Sequence, residues 1–93
     1  MGASDRGVFA ISVAAAMVSM EIQNLRVYER RGLLQPDRTE GGTRLYSADD
    51  VARLERIRDL LAEGLNLAGV ARVLDLEDEV DRLRARLAGA GPP

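Results

Sequence analysis

The chain has 93 residues, 46% of them hydrophobic and 30% charged, and a net charge of -2. That length holds one domain with a small core, which a second subunit or a bound partner would help to stabilise. It contains neither cysteine nor histidine, which excludes a disulfide framework, a thiolate metal site and the usual general base at neutral pH.

No nucleophile–base pair or metal cluster is visible, so neither an enzyme nor a cofactor site is expected. All 13 basic residues are arginine. Arginine suits bidentate contacts to phosphate and guanine, but a GC-rich coding sequence produces the same bias, so placement carries more weight. Residues 22–46 hold five arginines against three acids, whereas residues 47–64 hold three against five. One end of the molecule can therefore face a polyanion while the rest stays acidic.

In chain order, residues 1–9 read as a flexible lead. Residues 8–18, VFAISVAAAMV, have the length of a signal-peptide core and are too short to span a bilayer. No clear cleavage site and polar spacer follow, so a cytoplasmic protein is expected. Ser12 is a plausible N-cap for a short helix over 13–19, with Val13, Ala16, Met17 and Met20 spaced for one apolar face. Val18-Ser19-Met20 reads as a tight turn.

A second helix is expected over 21–31, stopped by Gly32. Leu25 and Tyr28 share one face of it, and Gln23, Arg26 and Arg30 form a polar stripe on another. On an isolated helix such a stripe reads more readily as a solvated surface. Pro36 prevents further helix, and two short strands, 37–39 and 43–46, follow, joined through Glu40-Gly41-Gly42. A lone hairpin is marginal in water, so it must lean on the helices.

Ser47 and Asp50 form a capping-box start to a third helix, marked by Val51, Leu54, Ile57 and Leu61 and ending near Gly64. Asn66 caps a fourth, with Leu67, Val70, Val73 and Leu74 inward. Val73, Leu76, Val80, Leu83 and Leu87 then recur at spacings of 3, 4, 3 and 4, a heptad seam about two heptads long. This divides the chain into a lead (1–9), a DNA-binding domain (10–75), a short coiled-coil helix (76–88) in which Leu76, Val80, Leu83 and Leu87 would pair two copies, and a flexible tail (89–93).

A short helix, a tight turn, a helix with a polar stripe and an arginine-bearing hairpin are the order of a winged helix-turn-helix in a mainly α fold. The second helix of such a unit enters the major groove, where Gln and Arg read adenine and guanine edges. The wing gives arginines to phosphates. Gln23, Asn24, Arg26 and Arg44 are the leading candidates for DNA contact. Arg30 shares the stripe, and Arg38 is either a wing contact or a solvated hairpin residue. Tyr28 and Tyr46 can be read as edges of the core. Glu29 is expected to pair with a nearby arginine, and Arg53, Arg56 and Arg58 to cover an exposed face.

Leu25-Arg26-x-Tyr28-Glu29, Gly32-Leu33-Leu34, Pro36, Arg38 and Arg44-x-Tyr46 occur in the order that resembles the MerR family of transcription regulators. The resemblance covers residues 10–76. Ile11-Ser-Val-Ala-Ala15, Arg38-Thr-Glu-Gly-Gly42 and Gly64-x-Asn66-Leu-Ala-Gly69 with Leu76-Glu77 are similar to its heat-shock repressor (HspR-like) branch. The resemblance implies a nucleoid-associated homodimer on an inverted repeat of double-stranded DNA, with C-terminal helices paired antiparallel. It implies DNA contacts at Arg26 and Tyr28, a phosphate contact at Arg44, and wing support or DNA contact at Tyr46. It further implies repression of chaperone genes with a DnaK-type chaperone as co-repressor. Departures include Ile22, where the branch carries a proline, Glu21 beside the expected groove, Val27 in place of a second tyrosine, and a short C-terminal segment. The competing reading is an excisionase-like architectural or protein-interaction module with the same winged fold.

Overall fold

In a computed structural model that describes residues 2–89, a turn of 3-10 helix (Gly2–Asp5) precedes α1 (Ile11–Met17), α2 (Ile22–Arg30), β1 (Asp37–Arg38), β2 (Arg44–Leu45), α3 (Ala48–Ala62) and α4 (Leu67–Gly89). This is the expected winged helix-turn-helix. The expected flexible tail falls, apart from Gly89, outside the described residues.

The N-terminal lead is not a loose segment. Val8 and Phe9 both donate backbone N–H to the Tyr46 carbonyl, at 3.0 and 2.9 Å, and Tyr46 N–H returns a bond to Phe9 O at 2.7 Å. Gly7 N–H donates to the Asp37 carboxylate at 2.8 Å. Gly7 lies so close to the wing that a Cβ there would collide with the Leu45 carbonyl. The lead thus forms a third extended segment at the base of the wing, a long-range pairing that local propensity does not reveal.

This bridge also sets where α1 begins. The helix starts directly after it, with Ala10 as N-cap and no side-chain cap bond; Ser12, the expected cap, lies inside the helix. Its register differs from expectation as well. Ala14, Ala15 and Val18 face the core, while Val13 and Met17 are 46% and 48% exposed. The small alanines let the α1 backbone approach its neighbours closely, so the bulkier residues face outward. The expected turn is present: Ser19 takes a left-handed φ of 56°, and Met20 N–H bonds back to Ala15 O at 3.0 Å.

α2 ends as Gly32 predicts. Gly32 N–H donates to Glu29 O and Leu33 N–H to Tyr28 O, both at 2.9 Å, with Gly32 at φ 77°. This pair of bonds is the Schellman stop, which satisfies the last carbonyls and turns Leu33 into the core. β1 and β2 pair antiparallel, Asp37 opposite Leu45 and Arg38 opposite Arg44. Thr39 N–H closes the turn on Thr43 O at 2.9 Å.

α3 carries the expected capping box: Asp50 N–H donates to Ser47 Oγ and Ser47 N–H to the Asp50 carboxylate, each at 2.9 Å. Val51, Leu54, Ile57 and Leu60 are buried, with Leu61 half-buried beside them. They meet Leu25 and Tyr28 of α2, Leu33, Leu34, Tyr46, and Val70 and Leu74 of α4 in one core. Each such side chain contributes about 1.5–3 kcal/mol by leaving water. Asn66 caps α4 by accepting from Gly69 N–H at 2.8 Å. α4 then runs unbroken for 23 residues, so residue 75 is not a break between domain and coiled coil. Its inward face ends at Leu74, and every residue from 79 to 89 is exposed.

Candidate nucleic-acid interface

Burial of Leu25 and Tyr28 fixes how α2 is rotated. The 3.6-residue repeat then turns Gln23, Arg26 and Arg30 outward; all three are exposed, and so is Asn24 in the first turn of the helix. Among the described residues, Arg26, Arg30 and Arg31 make no ion pair.

The wing stands beside this face and is tied to it by one carboxylate. Arg38 and Arg44, opposite each other on the hairpin, both reach Glu29 of α2. Arg38 donates to one carboxylate oxygen at 2.9 Å and Arg44, through Nε, to the other. Arg38 also donates to Gly42 O at 2.8 Å, which braces the turn of the wing. Two arginines share one acid, so the cluster keeps a net positive charge. Burial alone would raise the Glu29 carboxyl, but the hydrogen bonds and charges of Arg44 and Arg38 together hold it below its ordinary value. Glu29 in turn raises the Arg44 guanidinium.

The two tyrosines are part of the core. Tyr46 has no accessible surface, and its hydroxyl is buried without a hydrogen-bond partner among the described residues. Its ring supports the wing where the N-terminal segment joins. Tyr28 is 5% exposed and packs in the same cluster. Burial pushes both phenols up, with the Glu29 charge adding to the effect at Tyr46. The structure gives Tyr28 the packing role that is one of its two expected readings, because the face that carries Leu25 inward carries Tyr28 with it.

The arginines of α3 do not simply cover a solvated surface either. Arg53 donates to Leu33 O and pairs with Asp78 at 3.2 Å, linking the loop after α2 to α4. Arg56 pairs with Glu77 at 2.6 Å. Arg58 donates to Val18 O at 3.1 Å, bracing the turn between α1 and α2. These contacts join residues 20 or more apart, so spacing along one helix does not disclose them. The expected pairing residues Leu76, Val80, Leu83 and Leu87 are 63%, 42%, 45% and 74% exposed and form one stripe along α4.

The model of the MerR HTH family regulatory protein matches residues 9–77. The chain belongs to the MerR family. It is 47% identical over 85 residues to the putative heat shock protein HspR of Streptomyces coelicolor, covering 90% of this chain and 56% of that one. It is 38% identical over 71 residues to the transcriptional regulator GlnR of Bacillus cereus, covering 76% of this chain and 55% of the relative. The chain thus spans about half the length of these curated relatives. Among solved structures, the transcription regulator PbrR691 of Ralstonia metallidurans in complex with lead(II) superposes with a TM-score of 0.71 at 30% identity, covering 89% of this chain and 71% of that one. HiNmlR, a MerR family regulator bound to promoter DNA, shares the fold with a TM-score of 0.67 at 20% identity, covering 88% and 74%. No helix among the described residues is long and apolar enough to cross a membrane.

Proposed function

We propose that this MerR-family chain is a sequence-specific repressor that binds an inverted repeat of double-stranded DNA as a homodimer, with heat-shock and chaperone genes as its targets. The observation that carries the reading is the joint presentation of the exposed α2 stripe and the wing, coupled through Glu29. Gln23, Asn24, Arg26 and Arg30 supply edge-reading and phosphate-binding groups from the helix. Arg38 and Arg44 supply a positively charged flank that sets position on the backbone. The acidic remainder of the chain is no obstacle, since only the facing surface needs to be basic.

The pairing of two copies is supported by the exposed stripe on α4 and by the charges beside it. Residues 75–81 hold Asp75, Glu77, Asp78, Glu79 and Asp81, and residues 82–86 hold Arg82, Arg84 and Arg86. An antiparallel crossing places the basic end of each helix over the acidic stretch of the other. The likeness to HspR supports the heat-shock targets. A DnaK-type chaperone as co-repressor is part of the same proposal, to be tested by whether added chaperone tightens operator binding. The deciding experiment for the whole reading is selection of bound sites from a random DNA pool. An inverted repeat is the expected result. A single half-site would favour an excisionase-like module, and no preferred sequence would overturn the reading.

A further inference from the structure

Ile22 is the first residue of α2, a large apolar side chain that remains 37% exposed. The partly buried apolar residues packed against the core include its neighbours Met20 and Val27 but not Ile22. Ile22 lies one helical turn before Arg26 and three residues before the buried Leu25, so it stands at the edge between the outward stripe and the core face, on the Arg26 side. An apolar β-branched residue thus occupies the leading end of an otherwise polar, outward-facing stripe.

The major groove offers one apolar group to such a side chain, the 5-methyl of thymine. Recognition helices present their N-terminal residues to base edges. We infer that Ile22 reads a thymine methyl beside the bases addressed by Gln23 and Arg26, and so sets a specificity that the polar residues cannot supply. The inference rests on the reading of α2 as the groove-entering helix. Removal of one buried methyl group should weaken binding about fourfold per half-site.

The test uses the full chain and a site recovered from the random pool. Each thymine is replaced in turn by deoxyuridine, which removes the methyl and leaves the hydrogen-bonding edge unchanged. The wild-type protein should lose about fourfold at one position of each half-site. Ile22→Ala should bind the thymine and deoxyuridine sites equally, and Ile22→Val should keep most of the discrimination. Circular dichroism should show an unchanged fold, since Ile22 lies outside the core. If wild type and Ile22→Ala respond alike to every deoxyuridine, Ile22 reads no methyl, while the groove-entering role of α2 stands on the recovered site. If no site is recovered at all, both ideas fail together.

Discussion

Glu29 accepts the Arg44 Nε–H, so a residue of the second helix holds a residue of the wing. With Arg38 on its other oxygen at 2.9 Å, this carboxylate makes helix and hairpin one unit. The base of this two-residue-per-strand wing is held by the N-terminal segment, and Glu29 adds the tie to α2. The arrangement also meters charge, since the acid offsets one of two cations that would face DNA.

Glu29→Gln should therefore tighten binding to random DNA and steepen the dependence of log affinity on log salt by about 1. Preference for the selected site should fall, because the wing loses its fixed angle. Affinities measured across a salt series on both DNAs test this; an unchanged slope with unchanged preference would refute it. The pH dependence has a definite sign. The Glu29 carboxyl is held below its ordinary value of 4.5, so the clamp stabilises the fold fully above that value. It is lost as pH falls through the lowered folded value. A carboxyl NMR titration should place Glu29 below 4.5 in the wild type and closer to it in Arg44→Ala.

Arg44→Ala removes one wing cation and leaves Glu29 to Arg38. All sequences should be bound more weakly by a similar factor, and the salt slope should fall by about 1. A loss confined to the selected site would instead make Arg44 a base reader.

Arg26 is the opposite case, exposed on the stripe and free of ion pairs among the described residues. Arg26→Ala should cost about 1–3 kcal/mol on the selected site and relax preference at one base position. Competition against random DNA decides between the two roles. An equal loss on both would assign Arg26 to phosphate.

Tyr46 is a test of packing against contact. Its hydroxyl is buried and has no partner among the described residues, so Tyr46→Phe removes an unsatisfied polar group while keeping the ring. Stability should hold or rise by about 1 kcal/mol, and DNA affinity should not change. Tyr46→Ala should cost about 3–5 kcal/mol through the cavity it leaves. Urea unfolding of both variants, with DNA titrations of Tyr46→Phe, checks this. A Tyr46→Phe protein with full stability and weakened binding would return the hydroxyl to the interface.

The parts legible in the sequence are those written in local chemistry. Ser47 and Asp50 announce α3, Gly32 stops α2, and Leu25 with Tyr28 fixes the inward face of α2. The rest depends on contacts between distant residues. Phe9 becomes structured only because Tyr46 offers it a strand edge. The register of α1 follows from close approach at Ala14 and Ala15, whose small side chains carry a weaker apolar signal than Val13 and Met17. Arg53 and Arg58 serve backbone carbonyls on other elements, Leu33 and Val18. In the candidate interface, the stripe of Gln23, Arg26 and Arg30 is legible by period alone. The hold of Glu29 on both wing arginines needs the hairpin folded against α2.

The last prediction concerns the pairing of two chains. From residue 79 onward α4 has left its own domain, and all of its described side chains are exposed. A projecting helix of this length is marginal in water unless its apolar stripe is covered. Val80, Leu83 and Leu87 form that stripe beyond the domain, whereas Val73 also packs against the core. Leu83→Asp would place a charge in the middle of the seam without a partner for it. The core of the winged domain ends at Leu74, so far-UV circular dichroism should show it intact, with some loss of helix signal from the freed end of α4. Sedimentation at micromolar concentration should show a dimer for the wild type and a monomer for Leu83→Asp. Affinity for the inverted repeat should fall towards that for one half-site. Leu87→Asp, near the end of the helix, should act in the same direction and more weakly. A Leu83→Asp chain that still sediments as a dimer and binds the inverted repeat at full strength would place the interface elsewhere.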